Sequence, residues 1–342
     1  MSQLLPAGTQ PMLPELPGTA YELQAGRAEI AADMIGSHRS ALLLRAKLAC
    51  DVEDDALQAA AERFRKATCV VEAGPVRLSR WQVEAGANSG ELSSADDIDV
   101  ASLFLERNAI TNEQFQLFLD RGGYENKSLW HASVWPCVKE FVDRTGSSGP
   151  RFWSDGHHCL NNADHPVVGV SWFEAEAYSR WIGMRLPTDA EWVRAACSPI
   201  EVDGAIVQRK YPWGESFSSD RANLRSSGVG HTLPTGAYAE GDSLGGAGQM
   251  IGNVWEWTAS NLRLWNGEHM LELAEPMKSL RGSAFDSFLD VRATCQCQSA
   301  DTPLARRHNI GFRCVVSACD VVEVLGQIDD GVALELGNEG IF

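Results

Sequence analysis

Positive charge is what this chain has least of. Lysine and arginine total 29 against 46 aspartates and glutamates, a formal net charge of −17 over 342 residues. A surplus of that sign repels nucleic-acid phosphates and anionic lipid surfaces, so neither is an expected partner. The visible basic patch is Arg306-Arg307-His308. Long apolar runs are missing as well. The longest aliphatic cluster, Ala41-Leu42-Leu43-Leu44, falls far short of the roughly 20 residues that span a bilayer. Met1 to Pro17 is proline-rich and lacks the basic start and apolar stretch of a secretory signal, so a cytoplasmic location is expected. The nine cysteines form no Cys-x-x-Cys motif, and in that compartment they are expected to be mostly reduced. Cys295 and Cys297 alternate along an expected strand and share one face.

Common catalytic signatures are absent too. There is no Gly-x-Ser-x-Gly elbow, no Walker loop and no dinucleotide fingerprint. Gly245-Gly246-Ala247-Gly248 is rich in glycine but neither follows a clear strand nor opens a helix. His157, His158, Cys159, Asp164 and His165 cluster without the second ligand pair that a zinc finger or ribbon needs.

What the chain does have is a set of local structural signals. Hydrophobic residues make up 44% and charged residues 22%, the balance of a globular protein with a substantial core. Apolar spacing predicts helices within Tyr21–Ala49 (Ile30, Met34, Leu43, Leu44, Leu48) and Asp54–Ala67 (Leu57, Ala60, Ala61, Phe64). Thr111 with Gln114, Ser171 with Glu174, and Thr188 with Glu191 each match a capping box, in which a residue pair satisfies the free N–H groups of a first helical turn. Gly122-Gly123 and Gly183 supply stops. Cys69 to Leu78 reads as strand broken by Gly74-Pro75, and Gly86–Asp99 reads as a polar loop. From Pro199 to Gly282 short polar segments dominate and regular structure should be sparse.

The order of landmarks resembles the formylglycine-generating enzyme family, also called the sulfatase-modifying factor family. The strings that carry the resemblance are Ile110-Thr111-Asn112-Glu113-Gln114-Phe115, His165-Pro166-Val167 with Val170-Ser171-Trp172, Arg185-Leu186-Pro187-Thr188-Asp189-Ala190-Glu191-Trp192, Tyr211-Pro212-Trp213-Gly214, Arg221-Ala222-Asn223, Gly252-Asn253-Val254-Trp255-Glu256-Trp257 and Asn309-Ile310-Gly311-Phe312-Arg313. The resemblance implies an α+β fold of low regular secondary structure, an elaborated C-type-lectin-like fold. It spans residues 67–317, preceded by an N-terminal helical extension over 1–66 and followed by an acidic tail over 318–342. About 18 residues at the start of that extension are expected to be disordered.

Active family members bind copper through two cysteines just after a Gly-Gly-Ser segment, soft thiolates being the ligands that select Cu(I). The matching stretch here, Arg281 to Arg292, has no cysteine, and the thiol positions fall on Phe285 or Asp286 and on Leu289 or Asp290. Copper is therefore not expected. Other relatives join the domain to a helical bundle that holds iron through a His-x3-His-x-Glu motif. Gly122-Gly123-Tyr124 and Leu129-Trp130 are similar to those relatives, but the helical front contains His38 alone, so iron is not expected. The resemblance implies calcium held by Gln249, Gly252, Val254 and Glu256, hard oxygen donors on a loop. The competing reading of the same string is a hydrogen-bonded turn with Trp255 and Trp257 in the core. The resemblance also implies that Cys197 and Cys295 form a structural thiol pair.

The functional expectation is a protein- or ligand-binding accessory module without copper oxidase activity. The alternative is an oxidoreductase using a different metal site or substrate. Aromatic and charged side chains on loops over a rigid scaffold suit recognition of a protein or small molecule. On that ground Phe285, Asp286, Phe288, Asp290, Gln296, Gln298, Arg306, Arg307 and His308 are the candidate contacts.

Overall fold

Each of the three capping boxes read from the sequence opens a helix in the computed structural model of the chain. The model describes residues 27–37, 39, 43, 52–82, 95–266, 269–271, 273–288 and 290–321. The expected disordered start, most of the acidic tail, most of the polar loop before Asp99, and Leu44, Leu48, His38 and Leu289 lie outside the described residues. The helices are α1 (Arg27–Gly36), α2 (Asp54–Ala67), α3 (Asn112–Asp120), α4 (Trp172–Ile182) and α5 (Asp189–Cys197). Thr111, Ser171 and Thr188 cap the last three, each accepting from the backbone N–H three residues on while the Gln or Glu there returns the bond. Gly183 then ends α4 at φ +83°, a left-handed conformation that favours glycine.

The strands are short and dispersed. β1 (Thr68–Val71), β2 (Gly74–Ser79), β3 (Trp81–Gln82), β4 (Ala95–Val100) and β5 (Leu103–Glu106) precede α3, and β6 (Ile200–Val202) and β7 (Ala205–Val207) follow α5. β8 (Trp255–Asn261), β9 (Leu264–Asn266), β10 (His269–Leu271), β11 (Lys278–Arg281), β12 (Gln298–Asp301), β13 (Ile310–Gly311) and β14 (Val315–Ser317) complete the set. The principal sheet has the order β12-β11-β8-β13, with β13 running parallel to β8. A second sheet, β1-β5-β14, joins the front of the domain to its last strand. Cys295 and Cys297 differ from their expected place: they sit in the turn before β12, where the Cys297 N–H donates to the Thr294 carbonyl at 2.9 Å.

Two apolar clusters form the core. One is aromatic and surrounds α3 and α4, with Phe115 stacked on Tyr178 at 5.5 Å and Phe312 set edge-on to Tyr178 at 5.4 Å. The other packs Trp192, Val193, Met250 and Cys295 between α5 and the β1 and β2 segments. Helix α2 joins the first cluster, with Ala61 and Phe64 buried and Phe64 edge-on to Phe104 at 5.1 Å. Among the described residues no helix is long and apolar enough to cross a membrane.

A buried ion pair links these parts. All five N–H donors of Arg313 are engaged: Nε and Nη2 on the two oxygens of Glu256 at 2.7 Å, and the remaining three on the carbonyls of Glu106, Arg107 and Gly248. Trp192 Nε1 donates to the same carboxylate at 2.7 Å. Removing one partner of such a pair strands an uncompensated charge in the core, so Arg313→Met should cost about 3–5 kcal/mol in urea unfolding. Combining it with Glu256→Leu should recover part of that loss, and a loss under about 1 kcal/mol in the single variant would refute the central role given to the pair.

Glu106 lies beside this pair, and burial pushes its carboxyl from 4.5 up to about 7, against the lowering effect of the Cys314 N–H and Arg313. A raised carboxyl favours the protonated native state. Its contribution is complete below pH 4.5 and falls away, by about 3 kcal/mol, as pH rises toward 7. Glu106→Gln should remove that part of the pH dependence of the unfolding free energy, and an unchanged slope would contradict the assignment.

Candidate recognition recess

The segment from Gly282 to Asn309 leaves β11, loops over the surface and returns through β12 toward β13. Its backbone is held in uncommon conformations where it turns away from the sheet. Ser283 has φ +66° without being glycine, and its hydroxyl meets the Cys297 thiol at 3.5 Å. Facing it is a recess of about 300 Å³, lined by Trp255, Asp286, Phe288, Arg292, Cys297 and Asn309 among others.

Asp286 is the central polar group. It accepts from Asn309 Nδ2 at 3.0 Å and pairs with His308 Nε2 at 3.1 Å. The His308 ring in turn stands edge-on to Phe285 at 5.8 Å. Phe288 is 73% exposed at the rim, with the Arg225 guanidinium 4.1 Å above its ring. Asp290 does not join this group, because it accepts from the Ser226 N–H at 3.0 Å and straps the neighbouring loop in place. The candidate contacts thus divide, with Asp286, Phe288 and His308 forming a cluster while Phe285 is buried behind it.

Several expected contacts are structural fasteners instead. Arg306 donates to the carbonyls of Gly169, Val142 and Gly149 and to the buried carboxylate of Glu174. Gln298 donates to Asp189 at 2.8 Å, and Gln296 bonds Ser79 and the Arg77 carbonyl on β2. Their side chains are consumed by long-range backbone and carboxylate partners that no local pattern reveals. Arg307 remains exposed and pairs with Asp301 at 2.7 Å.

Sequence reasoning missed Trp255, Arg292 and Asn309 as site residues. The hydrogen-bonded-turn reading puts Trp255 and Trp257 in the core; Trp257 is fully buried, while Trp255 is partly buried against the core and opens onto the recess. The missed signal is the proximity of the Gly-Asn-x-Trp-Glu and Asn-Ile-Gly-Phe-Arg strings, which the parallel β8–β13 pairing sets side by side, Ile310 opposite Trp255.

The donors named for calcium do not form an ion cage as placed. Both Glu256 oxygens belong to Arg313 and Trp192, and the Gln249 amide oxygen accepts from Asn253 Nδ2 at 2.9 Å. The Gly252 carbonyl accepts from the Val254 N–H at 2.8 Å. These partners fit the hydrogen-bonded turn, and calcium would have to displace a guanidinium. Among the described residues no group of three or more His, Cys, Asp and Glu side chains is arranged to hold a metal.

The thiols near the principal sheet are buried. Cys197 and Cys295 are buried, unbridged neighbours, burial pushing the first up to about 12 and the second well above its usual range. Cys297 borders the recess, but burial raises its thiol too, against the lowering effects of Ser283 and Arg281. In each of these three cysteines burial favours the thiol over the thiolate in the metal-free protein.

Comparisons with known proteins agree with this architecture. A family model described as the sulfatase-modifying factor enzyme 1-like domain matches residues 54–318. The hercynine oxygenase of Mycobacterium tuberculosis is 41% identical over 182 residues, 50% of this chain and 40% of that protein. The inactive C-alpha-formylglycine-generating enzyme 2 of Bos taurus is 33% identical over 185 residues, 49% of this chain and 56% of its own. The formylglycine-generating enzyme of Thermomonospora curvata is 26% identical, covering 74% of this chain and 94% of that one. The chain thus spans about two fifths of the length of the hercynine oxygenase it matches.

Because the carboxylate and amide donors of the Gly252–Glu256 turn are already paired, chelation with EGTA should leave the melting temperature within experimental scatter. A fall of several degrees, restored by added calcium, would reinstate the ion.

Proposed function

The chain belongs to the sulfatase-modifying factor enzyme 1-like family, and from that premise we propose that it is a small-molecule recognition module without copper oxidase chemistry. The observation that carries this reading is the recess itself. Where the resemblance would put two copper thiols, the chain has Phe285 or Asp286 and Leu289 or Asp290. The space beside them offers a carboxylate, an amide, a guanidinium and an indole face.

That donor set suits a small zwitterion of amino-acid type. Its ammonium group meets Asp286 and the face of Trp255, through charge pairing and cation–π attraction. Its carboxylate meets Arg292, whose planar fork matches carboxylate geometry. Asn309 holds Asp286 in orientation through the Nδ2 contact. A volume of about 300 Å³ accommodates a molecule of that size.

A second reading is favoured by the 41% identity to the hercynine oxygenase. In it the same recess serves as the substrate-binding part of an oxygenase whose metal is held by residues outside the recess.

Titration calorimetry against amino acids and their N-methylated forms should find saturable binding. Asp286→Asn should weaken it about tenfold or more, close to 1.4 kcal/mol. If no zwitterion saturates, or if Asp286→Asn and Trp255→Ala bind as the parent does, the recognition reading fails. Oxygen uptake on the bound ligand with Fe(II) supplied would favour the second reading over the first.

A further inference from the structure

Asp286, the carboxylate that meets the ligand's ammonium group in the recess, already has a neighbour able to carry positive charge. His308 Nε2 lies 3.1 Å from Asp286 Oδ2, while Asn309 Nδ2 donates to the two oxygens at 3.0 and 3.2 Å. The amide is always neutral, whereas the imidazole is neutral or charged according to its protonation. Its side chain is 59% exposed, so its proton exchanges with solvent. Two rings flank it edge-on, Phe285 at 5.8 Å and Phe152 at 6.4 Å, and they keep the imidazole beside Asp286 while its charge changes.

The other charged groups around this pair are fixed in charge or engaged elsewhere. Arg292 lines the recess and Arg225 stands over Phe288 at its rim, and a guanidinium keeps its charge throughout. The Cys297 thiol borders the recess too, but burial raises it above its ordinary 9.0, so it stays neutral below that pH. On the far side of the imidazole, Arg307 is paired with Asp301 at 2.7 Å and Arg306 with the buried Glu174, while the Arg144 guanidinium lies 5.8 Å from the Phe152 ring. Between pH 5 and pH 8 histidine is the side chain whose charge ordinarily changes. With the imidazole neutral, the charges of Asp286 and Arg292 balance. With it protonated, the same surface carries a net positive charge, and an incoming ammonium group meets a like charge beside its carboxylate.

We propose that His308 determines the charge specificity of the recess: as an imidazole it leaves Asp286 open to the ammonium group of a zwitterion, and as an imidazolium it neutralises Asp286 and turns the recess toward simple carboxylates. This rests on the recognition reading of the recess given above and adds how that site selects the charge of its ligand. An ionised carboxylate has lone pairs enough to accept from Asn309, His308 and a ligand together, so the ligand does not have to expel the ring. The two cations need only repel each other. Two unit charges about 4–5 Å apart at an exposed site alter affinity by a factor of about five. Linkage is reciprocal, so a zwitterion that prefers the neutral ring displaces protons from His308 when it binds at a pH where that ring is partly charged. The selection resides in one exposed side chain and requires no movement of the scaffold.

The test compares alanine with propionate, which has the same carbon skeleton without the ammonium group, by titration calorimetry on the full chain at pH 5 and pH 8 in buffers of different ionisation enthalpy. Alanine should bind about fivefold more tightly at the higher pH and release part of a proton at intermediate pH, whereas propionate should show the reverse order. His308→Gln keeps an N–H group beside Asp286 without the charge, and the position is exposed enough for the fold to tolerate it. In that variant alanine should still saturate the site, and both trends should vanish. Equal affinity of alanine at the two pH values, the same trend for both probes, or a trend that persists in His308→Gln would each overturn the inference and leave the recognition reading standing. No saturable binding of alanine at either pH would overturn it as well. If the other amino acids and their N-methylated forms also fail to bind, the recognition reading falls with it.

Discussion

The Arg313–Glu256 pair is the constraint from which the rest of the structure follows. A guanidinium fully removed from water is tolerable only when every N–H finds an acceptor. Here five acceptors come from three separate stretches of chain: Glu106 and Arg107 at the end of β5, Gly248 in the loop before β8, and the Glu256 carboxylate within β8. Trp192 on α5 closes the other side of the same carboxylate. Satisfying one side chain therefore positions the end of one sheet, the beginning of another and a helix. It also positions the recess, because Asn309 lies just before Arg313 in sequence and Trp255 just before Glu256.

The same device recurs at the helix starts. Glu174 in the first turn of α4 accepts from Tyr124 at 2.6 Å and from Arg306, and Glu191 in the first turn of α5 pairs with Arg185. Asp189 at the head of α5 takes Thr258, Ser279, Gln298 and Arg281. A carboxylate there is stabilised twice, by the free N–H groups of the first turn and by a distant cation. With so little regular structure, these fasteners hold long loops to short helices. They also explain why half of the C-terminal segment points inward: Arg306, Gln296 and Gln298 are the opposite ends of such links, while Asp286, Phe288 and His308 on the same segment face outward.

The two cavities differ in chemistry because they sit on opposite kinds of surface. The recess beside Trp255 is shallow and mixed in charge, built from loops that leave the principal sheet. The cavity of about 390 Å³ lined by Phe64, Tyr178, Trp181 and Glu106 is largely apolar, built where helices pack on the aromatic cluster around Tyr178. Burial of Glu106 raises its carboxyl, whereas Asp286 is partly open to solvent and already partnered by Asn309 and His308.

The residue string by itself determined what depends on neighbours in the chain. Three capping boxes, the Gly183 stop and the missing thiols between Arg281 and Arg292 could be read directly, because a cap is made within three or four residues and a missing sulfur needs no geometry. The family fold was legible from the order of its motifs. Only the tertiary structure decided which polar side chains are free. Arg306 and Glu174 are 132 positions apart, and Gln296 and Arg77 are 219 apart. Before folding, each looks like an available surface group, and only the folded arrangement of loops determines whether its hydrogen bonds go to the protein or remain open to a ligand.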